Sequence, residues 1–174
     1  LEGLEQGGEF EEMSRTLKEE ARSAKIQEYG EEKLPAGDIS GNEVIVVEGR
    51  ADVVNLLKNR INNVIGMNGT KLPATIAKLG KEKELTLFID GDRGGRLIAK
   101  NVIDNARISF VAIAPDGKEV EELTGKEILI ALRRGITTAE FLQRMQYERK
   151  GYDEEAKSEA SESGATTTFS GDVK

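Results

Sequence analysis

Residues 43–57 read EVIVVEGRADVVNLL, and the fold class follows from them. Val44-Ile45-Val46-Val47 is a continuous apolar, β-branched run. Such a run suits a strand buried on both faces, as in a parallel sheet. Residues 51–60 then read as a helix, with Val54, Leu57 and Ile61 on one face. The alternation continues downstream. Val64-Ile65-Gly66-Met67 is a second short apolar run, followed by a turn at Gly69 and a short helix over 73–79. Leu85-Thr86-Leu87-Phe88-Ile89 is a third strand, and 96–105 a helix with Leu97, Ile98, Val102 and Ile103 inward. Residues 108–114 form a fourth strand. Residues 124–134 and 138–150 read as helices punctuated by Gly135. Strands alternating with helices through short links imply an α/β fold, a mostly parallel four-stranded sheet with helices on both faces. Ligands in such sheets sit beyond the carboxyl ends of the strands.

Upstream, Phe10, Met13, Leu17, Ala21 and Ala24 mark one face of an amphipathic helix over 8–29. The stretch LPAGDISGN at 34–42 reads as a linker. Downstream, 151–174 is poor in large apolar residues and rich in Ser, Thr, Gly and Glu. It buries too little surface to offset its ordering entropy, so disorder is expected. The organisation is therefore a flanking helix and linker at 1–42, a core at 43–123, C-terminal helices at 124–150 and an acidic tail at 151–174. The chain begins at Leu1 rather than Met, which reads as a fragment or a trimmed chain.

Composition removes several chemistries. The 174 residues contain no cysteine, no histidine and no tryptophan. That excludes a disulfide framework, thiolate-held zinc, the Ser-His-Asp triad and imidazole-ligated metals. Catalysis must run on carboxylates, Lys and Arg, hydroxyls, or a metal held by oxygen. No apolar run approaches the ~20 residues of a membrane span, and the expected setting is the cytoplasm. The net charge of −7 is unevenly spread: residues 1–42 carry −6, 43–150 carry +3 and 151–174 carry −4. A mildly basic middle between acidic flanks leaves nucleic-acid binding open.

Acids stand at the expected strand ends. Glu48 follows the first strand, Asp90 and Asp92 the third, and Asp116 the fourth, with Glu119 three residues on. Asp52 lies one helical turn after Glu48. Gathered at one edge, these charges repel and raise one another's pKa unless a cation neutralises them. Mg²⁺ suits a few carboxylates plus substrate phosphates. Gly49, Gly91, Gly94, Gly95 and Gly117 allow tight turns and close phosphate approach. Arg50, Arg93, Arg96 and Lys118 are interleaved with the acids. Each residue also has a plainer reading. Asp92 or Asp116 would serve as a helix N-cap, and Arg50 or Arg93 would form a local ion pair. Lys58, Lys78, Lys81 and Lys83 read as ordinary solvated charge.

In this order and spacing, EGRAD at 48–52, DGDRGG at 90–95 and PDGKEVEEL at 115–123 resemble the Toprim domain. Within that superfamily they are similar to the DnaG-type primases of archaea, as are LPAG at 34–37 and the Gly69-Thr70 pair. The resemblance implies a Rossmann-like Toprim fold with flanking helical segments. It implies that Glu48, Asp90 and Asp92 are catalytic and hold Mg²⁺, with Mn²⁺ as the alternative. Asp52, Asp116 and Glu119 would support further ions, although Glu119 stands where the related element has aspartate. Arg50, Arg93, Lys118 and, more weakly, Lys71 would contact phosphates.

The implied function is synthesis of short RNA primers from nucleoside triphosphates on a single-stranded DNA template. Two alternatives remain at this point: an RNA-binding adaptor that joins subunits of the archaeal exosome, and a Toprim nuclease. A type IA topoisomerase fits less well, because Gly94 stands where that enzyme has a further acid and the three tyrosines lie in the flanks.

Overall fold

The computed structural model describes residues 26–69 and 71–172, with side chains to residue 162. In chain order the elements are β1 (Gln27–Tyr29), β2 (Leu34–Ala36), β3 (Glu43–Val47), α1 (Arg50–Lys58), β4 (Val64–Gly66), α2 (Ala74–Glu82) and β5 (Glu84–Ile89). They continue with α3 (Arg93–Asn105), β6 (Phe110–Ile113), a 3-10 turn (Val120–Glu122), α4 (Gly125–Arg133), β7 (Ile136–Thr137) and α5 (Thr138–Asp172). The chain divides into two units after Thr138.

The sheet runs β1-β2-β4-β3-β5-β6-β7. Its four central strands, β4, β3, β5 and β6, are parallel and are the four that hydrophobic runs predict. Val44, Val46 and Val47 are almost wholly buried, as a strand covered on both faces requires. Alternation along the strands divides the core. On one face Ile45, Val47, Phe88 and Ala112 pack with Val53, Leu56 and Leu57 of α1 and Ile128 and Ala131 of α4. On the other face point Val44, Val46, Leu85 and Leu87. Right-handed crossovers bring α2 and α3 there, with Ile76, Leu79, Ala99 and Val102 buried.

β3 lies between β4 and β5. The chain leaves β3 toward β4 on one side, then returns past it to β5 on the other. This reversal is the position where open α/β sheets bind ligands. The first residues beyond β3 and β5 are Glu48 and Asp90.

Three short antiparallel strands were not expected. Residues 26–29 do not continue a helix; Gln27–Tyr29 pairs with Leu34–Ala36 as a hairpin. Gly30 at φ +75° and Lys33 at φ +53° close the turn, with the Lys33 N–H donating to the Gly30 carbonyl at 3.1 Å. The remainder of the predicted helix, 8–25, lies outside the described residues. Within the predicted linker, Leu34, Pro35 and Ala36 are buried and Ala36 pairs with Ile65 of β4. Its glycine and proline signal turn chemistry, and tertiary burial overrides it. β7 pairs antiparallel with β6. These additions cover both edges of the parallel sheet, which removes the hazard of unpaired edges.

α5 runs to Asp172, where the composition predicts a disordered tail. Side chains 151–162 are exposed, so the segment buries as little as its composition indicates. A helix meets its own backbone hydrogen bonds without a core, and no proline interrupts this one. Among the described residues no helix is long and apolar enough to cross a membrane.

Candidate active site

The carboxyl edge is built by three chain reversals. Gly49 caps α1, and its N–H donates to Asp52 Oδ2 at 3.0 Å. Asp92 caps α3, accepting from the Gly95 N–H on Oδ1 at 2.6 Å. Asp90, between β5 and α3, accepts from the Val120 N–H on Oδ1 at 2.8 Å. Each aspartate is thus oriented through one oxygen by a backbone donor. The Glu48 side chain accepts no hydrogen bond among the described residues; the Asn68 N–H donates to its backbone carbonyl at 2.9 Å.

The side chains sense one another. Burial pushes the Glu48 carboxyl above its ordinary value, and the charges of Asp90 and Asp92 push it further. Burial also raises Asp90, helped by Asp92, Glu121 and Glu122, against the lowering effect of the Val120 N–H. Asp52 is 9% exposed. Burial lifts it to about 6, with Asp90, Glu121 and Glu48 adding to the rise and the Gly49 N–H opposing it. The exposed Glu119 is raised first by the neighbouring Glu121 carboxylate and then by the charge of Asp90. Acids from three segments, 48–52, 90–92 and 119–122, therefore act on one another at this edge.

Two members of this crowd were missed. Glu121 and Glu122 sit on the 3-10 turn, whose N-terminus is closed by the Glu119 N–H donating to Glu122 Oε1 at 2.9 Å. Asn55 of α1 anchors the turn, donating from Nδ2 to the carbonyls of Val120 (2.9 Å) and Leu123 (3.0 Å). Three acids within residues 119–122 were the available signal.

Other predicted residues stand apart. Asp116 is exposed in the turn 115–118, where Gly117 takes φ +77° and the Lys118 N–H donates to the Pro115 carbonyl at 2.9 Å. Turn chemistry accounts for Asp-Gly there, and Asp116 is not among the acids that perturb the cluster. Lys118 Nζ is 2.7 Å from Glu127 Oε2, so its charge is engaged in an ion pair. Arg50 and Arg93 are exposed as the first residues of α1 and α3, directly flanking the acids. Lys71 is exposed beyond the loop that touches Glu48.

The donor set is all oxygen and fits a hard cation. Among the described residues no three carboxylates stand close enough together to chelate an ion by themselves. Mg²⁺ is commonly held by one or two carboxylates, water and substrate phosphate, so a pair of acids at this edge would be enough to hold it.

One consequence is a pH dependence in the metal-free chain. Asp52 moves from 3.8 to about 6 on folding. The folded state then binds more protons than the unfolded state between these values, so stability falls as pH rises from about 4 to about 6. Asn at position 52 keeps an acceptor for the Gly49 N–H and carries no charge. Asp52→Asn is expected to stabilise the chelator-treated protein at pH 7 by about 3 kcal/mol and to flatten this fall. Urea unfolding at several pH values checks it; an unchanged profile refutes it.

Residues 42–114 match the Toprim domain family. The chain is 51% identical over 140 residues to a DNA primase DnaG of Nanoarchaeum equitans, covering 79% of this chain and 38% of that protein. It is 52% identical over 130 residues to a DNA primase DnaG of Archaeoglobus fulgidus, covering 74% of this chain and 33% of that protein. The chain thus spans little more than a third of the length of these relatives. Among solved structures, the RNA polymerase domain of Mycobacterium tuberculosis primase DnaG is similar with a TM-score of 0.53 and 26% identity, covering 62% of this chain and 40% of that one. With its reversal point at β3 and β5 and its acids at their ends, the chain carries a Toprim domain and belongs with the DnaG-type primases of archaea.

Proposed function

We propose that this chain is the catalytic core of a DNA primase, joining ribonucleotides into short RNA primers on single-stranded DNA. The observation that carries the reading is the mutual crowding of Glu48, Asp52, Asp90 and Asp92 at the sheet's reversal point. The primase relatives support it over an exosome adaptor or a nuclease. Toprim primases as a class depend on divalent metal. In this chain Glu48, Asp90 and Asp92 are the carboxylates that would hold Mg²⁺ or Mn²⁺, one or two at a time with substrate phosphate and water completing the shell, with Asp52 and Glu119 behind them and Asp116 the least supported member. A divalent metal held there would supply a lowered pKa for the attacking 3′-hydroxyl and neutralisation of phosphate charge. The backbone donors at Gly49, Gly95 and Val120 hold the aspartates in place before substrate arrives, so little reorganisation accompanies the reaction. Arg50 and Arg93 receive triphosphate oxygens at the helix starts, where backbone N–H groups also favour anions. Lys118 joins them only by releasing Glu127, and Lys71 approaches from the loop beside Glu48. The setting that goes with this reading is the cytoplasm.

The test is metal-dependent formation of dinucleotides and primers on single-stranded DNA. Cleavage of phosphodiesters without joining overturns the reading in favour of a nuclease. At the level of the site, Asp90→Asn is expected to weaken Mn²⁺ binding about 10- to 100-fold in a calorimetric titration. Unchanged affinity removes Asp90 from the ligand set.

A further inference from the structure

The face formed by α2 and α3 carries charge that the carboxylate edge does not use. Leaving aside Arg93, which flanks that edge, these helices and Arg107 hold five bases, Lys78, Lys81, Arg96, Lys100 and Arg107, against two acids, Glu82 and Asp104. On the opposite face, α1 and residues 119–133 together hold four bases against five acids. The two faces of the sheet therefore differ in sign as well as in position.

Internal pairing does not quench the basic face. Among the described residues Lys78, Lys81, Arg96, Lys100 and Arg107 make no salt bridge. All but the half-buried Arg96 are exposed. Arg96 and Lys100 stand one helical turn apart, where like charges destabilise a helix. Lys78 and Lys81 occupy the exposed side of α2, opposite the buried Ile76, Leu79 and Gly80. α2 and the chain leaving α3 are in close contact: a Cβ on Gly80 would lie 2.6 Å from the Arg107 carbonyl oxygen. The bases of both helices thus belong to one surface. That surface starts at the carboxylate edge, because Asp92 is the cap of α3. From Arg93 to Asn105 the helix extends ~20 Å. Leu97, 54% exposed, lies between Arg96 and Lys100 and adds an apolar contact to the stripe.

We propose that the α2–α3 face holds the sugar-phosphate backbone of single-stranded nucleic acid and leads it to the carboxylate edge. Unpaired cations in a row fit a chain of phosphodiesters, and their mutual repulsion is relieved when it binds. The lysines that read as plain solvated charge in the sequence acquire this role from their placement. The inference takes the identity of the polyanion from the primase reading.

The test is fluorescence anisotropy of labelled oligothymidylate and oligouridylate against the 174-residue chain, over a salt series without divalent metal or nucleotide. Lys78→Glu/Lys81→Glu/Lys100→Glu is expected to lose about 10-fold or more in affinity at low salt. Its log–log salt slope should fall by about 2, at ~0.7 per phosphate contact. Lys126→Glu/Arg133→Glu/Arg134→Glu makes the same change in net charge away from this face and is expected to bind within about 3-fold of the parent. Circular dichroism checks folding, and the corresponding Gln variants replace any set that fails to fold. Losses with both oligonucleotides support a shared backbone track, and a loss with one identifies the nucleic acid the face takes. Equal losses in the two charge variants, no loss in the first, or no binding by the parent overturns the proposal. An inactive chain that still binds through these lysines sinks only the primase reading; an active chain whose binding ignores them sinks only this one.

Discussion

Glu48→Gln is expected to lower primer synthesis at least about 100-fold while leaving the fold intact. The side chain is half-buried directly beyond β3 and accepts no hydrogen bond among the described residues. Its substitution therefore breaks no packing and no backbone anchor. Its charge is opposed by Asp90 and Asp92, so neutralising it relieves repulsion in the metal-free chain. The two readouts should move apart: activity collapses and thermal stability without metal stays level or rises. A loss of the proposed divalent cation removes charge neutralisation at the phosphates and activation of the hydroxyl together. Even residues that merely support such a ligand are worth about 10- to 100-fold, and the ligand itself exceeds that. Primer synthesis by Glu48→Gln at the parent rate would remove the carboxylate edge from the chemistry. Parallel loss of activity and stability would assign Glu48 a structural role instead.

Gly91→Ala is expected to destabilise the chain by about 3–5 kcal/mol, among the larger effects of a single substitution. Gly91 is buried between Asp90 and Asp92. A Cβ there would lie 2.2 Å from the Pro115 carbonyl oxygen and 2.5 Å from that of Ala114. Both contacts are backbone, so neither can rotate away. The same residue stitches two loops together. Its N–H donates to the Lys118 carbonyl at 2.9 Å, and its carbonyl accepts from the Gly117 N–H at 2.8 Å. Separating those loops would also disturb the Asp90–Val120 bond that aims a proposed ligand. The matching control is Gly94→Ala. Its Cβ would meet only Asp92 Oδ1, at 3.4 Å, on an exposed turn of α3. Alanine there gains up to about 1 kcal/mol from reduced backbone entropy. Urea unfolding should place the two variants on opposite sides of the parent, with similar m-values. A Gly91→Ala midpoint near that of the parent would mean that the two loops part without cost.

The legible parts of the molecule share a cause. β3, β4, β5 and β6 are strands that two helical layers bury, so each is a continuous apolar run visible without any partner. α1 and α3 announce themselves by periodic apolar residues, and the acids Glu48, Asp90 and Asp92 are placed by strand ends alone. β1, β2 and β7 were not legible. They are two or three residues long and owe their conformation to a neighbouring strand rather than to their own pattern. Leu34-Pro35-Ala36 looks like linker chemistry until Ile65 is seen beside it.

The site divides in the same way. Residue type and spacing alone determined that the chain is an α/β protein of mostly parallel strands with carboxylates following the strand ends, because apolar runs and strand-end acids are local properties. Tertiary structure decided which acids meet. It brought Glu121 and Glu122 to Asp90 by closing the 3-10 turn over α1 through Asn55, and it left Asp116 in an exposed turn. It paired Lys118 with Glu127 and gathered Lys78, Lys81, Arg96 and Lys100 on one face. Charge interactions depend on distance through space and on burial, and neither is written in the order of residues along the chain.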